Sequence, residues 1–173
     1  SYRRGIEING AYAFNKYLTL RGNIAMSQNN ILNFTEYIDN FDEGIQNENF
    51  YNKTTIAFSP SMVTSLAISI KPAKNLEMIW SHKYVGKQYL DNTGSEERML
   101  DPFHFSDISL IYTPAAKSLK NIRFNATVFN VFNHEYEPNG YTFGYIVGGR
   151  RINENFYYPQ AGINYLVGCT ILF

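Results

Sequence analysis

An excess of charge of one sign is missing from this chain: 15 Lys and Arg residues balance 15 Asp and Glu residues. It therefore carries no net electrostatic footprint for nucleic acid, and none is expected as a partner. Cysteine is reduced to Cys169, which excludes an internal disulfide and reads as a small hydrophobe rather than a reactive thiol. No run of about 18 apolar residues occurs, so a spanning helix is excluded. The three histidines, His82, His104 and His134, lack the paired spacing of a metal cage, and each reads as an ordinary rim or lumen residue. No catalytic constellation, metal site or cofactor motif emerges, and an enzyme is not expected. The opening SYRRGIEI has neither an initiator Met nor a secretory signal, which creates the expectation of a processed start or of a piece of a longer product.

What the chain has is aromatics and alternation. Fourteen Tyr, thirteen Phe and one Trp stand against a charged fraction of 17%, while mean hydropathy is −0.29. Apolar yet not hydrophobic on average, such a composition suits strands that interleave greasy and polar positions. The last fourteen residues show it best. Ile163, Tyr165, Val167, Cys169, Ile171 and Phe173 fall on one face; Gly162, Asn164, Gly168 and Thr170 fall on the other, with Leu166 and Leu172 breaking the polar set.

The same period recurs upstream. Ile6 to Phe14, Leu18 to Met26, Leu66 to Ile70, the stretch from Leu76 through Trp80, Ile108 to Tyr112, and Ile122 to Val128 all alternate, giving seven strands with the tail. Short links join some of them, at Asn15–Lys16, Pro72–Asn75 and Pro114–Lys120. Long polar links, expected to be loops, run over Gln28–Asn52, Asp91–Pro102 and Glu135–Tyr158. Long structureless loops are uncommon in compact soluble domains, whereas short turns on one rim and long connections on the other are the rule in outer-membrane barrels. The expected fold is all-β: an antiparallel transmembrane barrel segment. Spanning strands need about 9 to 11 residues, in keeping with these stretches. Tyr12, Phe14, Tyr17, Tyr112 and Phe173 are candidates for an inner aromatic girdle, with Tyr84, Tyr89 and Tyr165 further out.

Several stretches carry a resemblance. Asn130-Val131-Phe132-Asn133-His134-Glu135-Tyr136 resembles the N-L-F-N-x-x-Y signature of TonB-dependent outer-membrane receptors, with Val131 in place of Leu. Tyr157-Tyr158-Pro159-Gln160-Ala161-Gly162 and the strand after it resemble the family's final strand in its Bacteroidetes-type form. Lys83 to Asn92 (KYVGKQYLDN) and Ile56 to Pro60 (IAFSP) are similar to two further recurrent stretches. The resemblance implies that residues 1–173 are the C-terminal part of a 22-stranded barrel, with the plug domain and earlier strands elsewhere. It further implies coupling to the TonB complex through an N-terminal part not included here. Tyr165, Val167, Cys169, Ile171 and Phe173 would then be the insertion signal read by the barrel assembly machinery. Asn130, Phe132, Asn133 and Tyr136 would be the family motif.

The function so implied is energy-coupled uptake of a scarce large solute: a ferric siderophore, haem, cobalamin or glycan. Expected partners are outer-membrane lipid and lipopolysaccharide, a small-molecule or chelate ligand and a surface lipoprotein, in a Gram-negative outer membrane. A passive porin-type barrel and a soluble β-sandwich carbohydrate-binding module are the alternatives. Candidate ligand contacts are Tyr141 and Tyr145, alternating with Phe143, and Arg150 and Arg151 after Gly148-Gly149. Arg residues pair bidentately with anions, although a flexible turn with solvated charges is the blander and favoured reading. Glu36, Asp39, Asp42, Glu43 and Glu48 read as a solvated acidic loop rather than a calcium site. Glu7, Arg21, Glu77, Lys83, Asp107 and Arg123 read as lumen charges that pair with one another or with a plug.

Overall fold

A computed structural model describes residues 1–115 and 121–172. Phe173 and residues 116–120 of the last short link lie outside the described residues, and with them the expectations placed there.

The described residues form twelve strands and no helix. Seven are staves of one curved wall: β1 (Tyr2–Asn15), the lower part of β2 (Leu18–Asn40), β4 (Met62–Ala73), β5 (Leu76–Val85), β8 (Phe103–Tyr112), β9 (Asn121–Phe129) and β12 (Asn164–Leu172). They pair in chain order, all antiparallel, as a meander. These are the seven strands expected from alternation. At the first short turn the Asn15 side chain accepts the N–H groups of Tyr17 and Leu18 (2.7 and 3.0 Å), satisfying backbone donors that the reversal would leave open.

Register shows why the wall has two unlike faces. One cross-strand row reads Tyr12, Leu20, Ile68, Trp80, Ile108, Val128 and Tyr165. The next residue on each strand gives Ala13, Thr19, Ser69, Ile79, Ser109, Thr127 and Leu166. Cross-strand neighbours on one face interact as a unit, so the first row forms a continuous apolar band. Its ends are the most open, Tyr12 being 63% and Tyr165 80% exposed, while Leu20, Ile68, Trp80 and Val128 between them are half-buried by their neighbours. A single curved layer has nothing behind it to bury that band, which suits hydrocarbon rather than water.

The long connections depart from the loops expected there. Gln28–Asn52 continues β2 to Asn40 and returns as β3 (Ile45–Thr55); Glu135–Tyr158 folds into the hairpin of β10 (Asn139–Val147) and β11 (Arg150–Tyr158). Asp91–Pro102 is braced by a short pair, β6 (Gln88–Tyr89) with β7 (Met99–Leu100). Their polar sequences pair their own backbones instead of leaving them to solvent. Among the described residues, the buried apolar side chains Ile38, Val85, Leu90, Leu100 and Phe103 all belong to this outer end. The molecule thus has a small core only where its long connections gather.

Candidate functional site

The outer end is built by three elements brought together: the β2–β3 hairpin, the segment 86–102 and the β10–β11 hairpin. At its centre is Glu36, 9% exposed. Its carboxylate accepts from Arg98 Nη1 (2.8 Å), from both terminal nitrogens of Arg151 and from the Tyr51 hydroxyl (2.9 Å). Arg98, 5% exposed, also reaches Asp91 at 2.6 Å. Two carboxylates and two guanidiniums therefore balance. Burial alone would raise the Glu36 pKa, but donation from Arg151, Arg98 and Tyr51 outweighs it and holds the group at about 2. One side chain so pins β2, β3, the 86–102 segment and β11 to one another.

A second joint lies at the hairpin tips. β10 runs parallel to the top of β2, pairing Tyr145 with Asp39 and Ile146 with Asn40, and Phe41 donates its N–H to the Ile146 carbonyl (2.9 Å). The Gly148 and Gly149 N–H groups each donate at 2.8 Å to one oxygen of Asp42. Both glycines have positive φ, 59° and 68°, the mirror-turn geometry that a two-residue hairpin favours and that side chains resist. Those two donations hold the Asp42 carboxyl below its ordinary range.

The predicted ligand residues divide accordingly. Arg151, its side chain 28% exposed, pairs with Glu36; Arg150 is exposed at the turn. Tyr141, Phe143 and Tyr145 do extend a strand above the wall. They share a face with Phe156 and Tyr158 through register, and their rings stand in series: Tyr141–Phe156 at 4.8 Å, Phe143–Phe156 at 6.2 Å, Phe143–Tyr145 at 5.9 Å, then Phe41–Tyr145 at 5.5 Å. The rings form a continuous aromatic row on this face, with Tyr141 and Phe143 exposed and Tyr145 half-buried. Tyr145 donates to Glu154 at 2.8 Å. The opposite face of the hairpin points inward, where Asn155 donates to the Glu97 carbonyl (2.7 Å).

Of the acidic stretch, Glu36 and Asp39 lie on β2 and Glu48 on β3, with Asp42 and Glu43 in the turn between them; all but Glu36 are exposed, as expected of solvated charges, and Asp39 accepts from Gln46 (2.8 Å). Among the described residues no group of side chains is arranged to hold a metal ion. The charges expected to face a lumen, Glu7, Arg21, Glu77, Lys83, Asp107 and Arg123, make no ion pair with one another among the described residues; Glu7 instead accepts from Asn23 (2.8 Å) and Asp107 from the Asn130 N–H (2.9 Å).

The motif residues knit the rim. Asn130, 3% exposed with φ 50°, donates to the His134 carbonyl and accepts the His134 N–H (2.9 and 3.0 Å). Asn133 accepts the Ile163 N–H at 2.8 Å, and a Cβ at Gly162 would collide with that same side chain. Tyr136 stacks on Phe103 (4.7 Å), whereas Phe132 is 71% exposed. Ala57 donates to Asn92 and Phe58 to the Tyr89 carbonyl (2.8 and 3.0 Å), so the two remaining recognised stretches touch. In the tail, Tyr165, Val167, Cys169 and Ile171 are aligned on one face of β12; Cys169 is exposed.

No known protein family matches the chain, and no curated protein sequence does. Solved structures do. The siderophore receptor PiuA from Acinetobacter baumannii aligns over 96% of this chain with a TM-score of 0.70 at 14% identity. The ferric-catecholate import receptor Fiu from E. coli, in its open form, aligns over 96% with 0.59 at 14% identity. The ferric yersiniabactin uptake receptor FyuA from Yersinia pestis aligns over 99% with 0.55 at 15% identity. The chain spans 20%, 21% and 23% of Fiu, PiuA and FyuA. It has the all-β fold of a segment of the barrel wall of such import receptors.

Proposed function

We propose that this chain is a wall and outer-cap section of a TonB-coupled outer-membrane receptor that imports a ferric chelate. The observation that carries the reading is the pairing of a seven-stave antiparallel wall, greasy on one face, with an outer end made of locked hairpins, an arrangement aligned over nearly its whole length with siderophore receptors. Those likenesses favour a ferric siderophore over haem, cobalamin or glycan. Nothing favours a passive porin, and a single layer without a second sheet behind it does not fit a soluble sandwich.

Within this section we assign ligand contact to the aromatic row of the exposed Tyr141 and the half-buried Tyr145, with the exposed Arg150; Arg151 serves the Glu36 joint. The TonB box, plug and assembly of the whole receptor belong to parts of the protein not included here. The Bacteroidetes-type form of Tyr157–Gly162 supports an origin in that group. In the test, the complete gene product is expressed in an iron-starved Gram-negative strain stripped of its own receptors, with and without active TonB. TonB-dependent uptake of at least one labelled ferric siderophore is expected. Uptake that persists without TonB overturns the coupling; uptake of cobalamin or glycan but of no ferric chelate overturns the substrate class.

A further inference from the structure

All three histidines of the chain meet at one place, although they come from separate segments. His82 lies on β5, His104 on β8 and His134 just beyond β9. The rings of His104 and His134 stack at 4.6 Å and 16°, His82 stands 5.4 Å from His104, and Trp80 closes the column 5.9 Å from His82. His82 Nδ1 is fixed by the hydroxyl of Ser106, a fully buried side chain, at 2.8 Å. Strand parity puts His82 and His104 on the face of Trp80 and Ile108, which is the apolar side of the wall and not its lumen. Both sit toward the long connections, and Tyr84 is the register partner of His104.

Ionisable side chains on a surface meant for hydrocarbon are costly and call for a partner. A metal ion does not fit. It needs ring nitrogens converging to about 2.0–2.1 Å, whereas the His104 and His134 rings stack nearly parallel with their nitrogens side by side, and the tilted His82 ring, 43° from His104, already has one nitrogen engaged. Nor is this a buried structural cluster, since His104 is exposed. An oxyanion with several acceptors does fit: hydrogen bonds of about 2.8 Å from different oxygens of one phosphate reach donors about 5 Å apart. Aromatic rings at the same level mark the headgroup zone of a membrane.

We propose that the histidine column is a headgroup site for a phosphorylated lipid of the outer leaflet. The imidazole N–H groups donate to the phosphate, and the acyl chains run over Ile68, Trp80 and Ile108 toward the short-turn rim. The assignment rests on the outer-membrane reading above and adds to it a site and a lipid class.

The experiment uses the full-length receptor in nanodiscs of a neutral phospholipid doped with either bis-phosphorylated lipid A or the same lipid with its phosphates removed. Lipid retained through purification is counted by native mass spectrometry. Wild type is expected to retain the phosphorylated lipid at least tenfold over its dephosphorylated counterpart. The His104→Phe/His134→Phe variant, which keeps flat rings in the stack and leaves the His82–Ser106 bond alone, is expected to lose that preference. Equal retention of the two lipids by wild type overturns the proposal, as does an unchanged preference in the variant. A wild-type dimer that the variant dissolves overturns it in favour of a protein interface. Failure of the wild-type receptor to reach the outer membrane removes the outer-membrane reading itself, whereas correct insertion without lipid preference removes this inference alone.

Discussion

Replacing Glu36 with Ala removes the one carboxylate that faces both Arg98 and Arg151. Asp91 still meets Arg98, but Arg151 loses its countercharge, and the Tyr51 hydroxyl loses its acceptor. Because Arg98 keeps Asp91 and the orphaned Arg151 is partly open to solvent, the loss falls below that of a fully buried pair, at about 1–3 kcal/mol. At about 1.4 kcal/mol per factor of ten, opening of the cap becomes roughly 5-fold to 150-fold more populated. The cost falls on the cap and not on the wall, so global melting is a poor reporter. Hydrogen exchange followed by mass spectrometry on the full-length receptor resolves it: amides of β11 and of residues 88–100 lose protection by that factor, while β5 and β8 keep theirs. Glu36→Gln, which retains an acceptor but not the charge, falls between.

The pH dependence follows in sign. A glutamate ordinarily titrates near 4.5 and Glu36 in the folded protein at about 2. The folded value is the lower one, so the stabilisation is fully present above about 4.5 and drains away as pH falls toward 2. Equal loss of protection in β11 and β8 on mutation, or cap protection unchanged on acidification through that window, would refute the assignment of Glu36 as the pin.

Three further outcomes are expected. Val167→Lys, on the apolar face of β12, destabilises the assembled barrel by about 2–4 kcal/mol if it lies near the bilayer midplane, while Thr127→Lys on the other face is much milder; urea unfolding in lipid vesicles compares them, a costlier Thr127→Lys means that the faces are reversed, and equal tolerance means that neither face meets hydrocarbon. Asp42→Ala frees the two hairpin tips, so limited trypsin digestion cleaves after Arg150 faster than in wild type, whereas an unchanged rate denies the tip joint any holding role. Asn130→Ala orphans the His134 N–H and carbonyl at the rim and lowers stability by about 1–3 kcal/mol, read as a downward shift of the melting temperature; an unaltered melt shows that the Asn130 side-chain contacts to His134 contribute nothing.

The staves were legible because a single-layer wall with one apolar and one polar face writes that difference at every second residue, as in Ile122, Phe124, Ala126 and Val128. The cap was not, because β3 reads IQNENFYNKTT and scatters Asn and Gln over both faces, so pairing leaves no periodic trace. Arg150 and Arg151 look equivalent in sequence. Counting across the turn distinguishes them: Ile152 pairs with Tyr145 and lies on the aromatic face, which turns Arg151 inward with Asn153 and Asn155. The same parity, run from Trp80 to His82 and from Ile108 to His104, points both imidazoles away from the lumen. What no count reveals is that Glu36 lies against Arg98 and Arg151, since 62 and 115 residues separate them.

β2 serves two bodies at once. Its 23 residues span about 75 Å at about 3.3 Å per residue, so the strand that borders β1 and β4 in the wall is also the spine on which β3 and β10 are mounted. A cap carried on separate loops could swing without disturbing the barrel; one carried on an unbroken strand transmits its tilt into the stave below. The interruption in that strand's extended backbone is Asn33, at φ 53°, close above the point where pairing passes from β4 to β3. Asn33 is thus the bulge at which one continuous strand changes partner, so the direction in which the cap leaves the wall is set by the backbone of that residue.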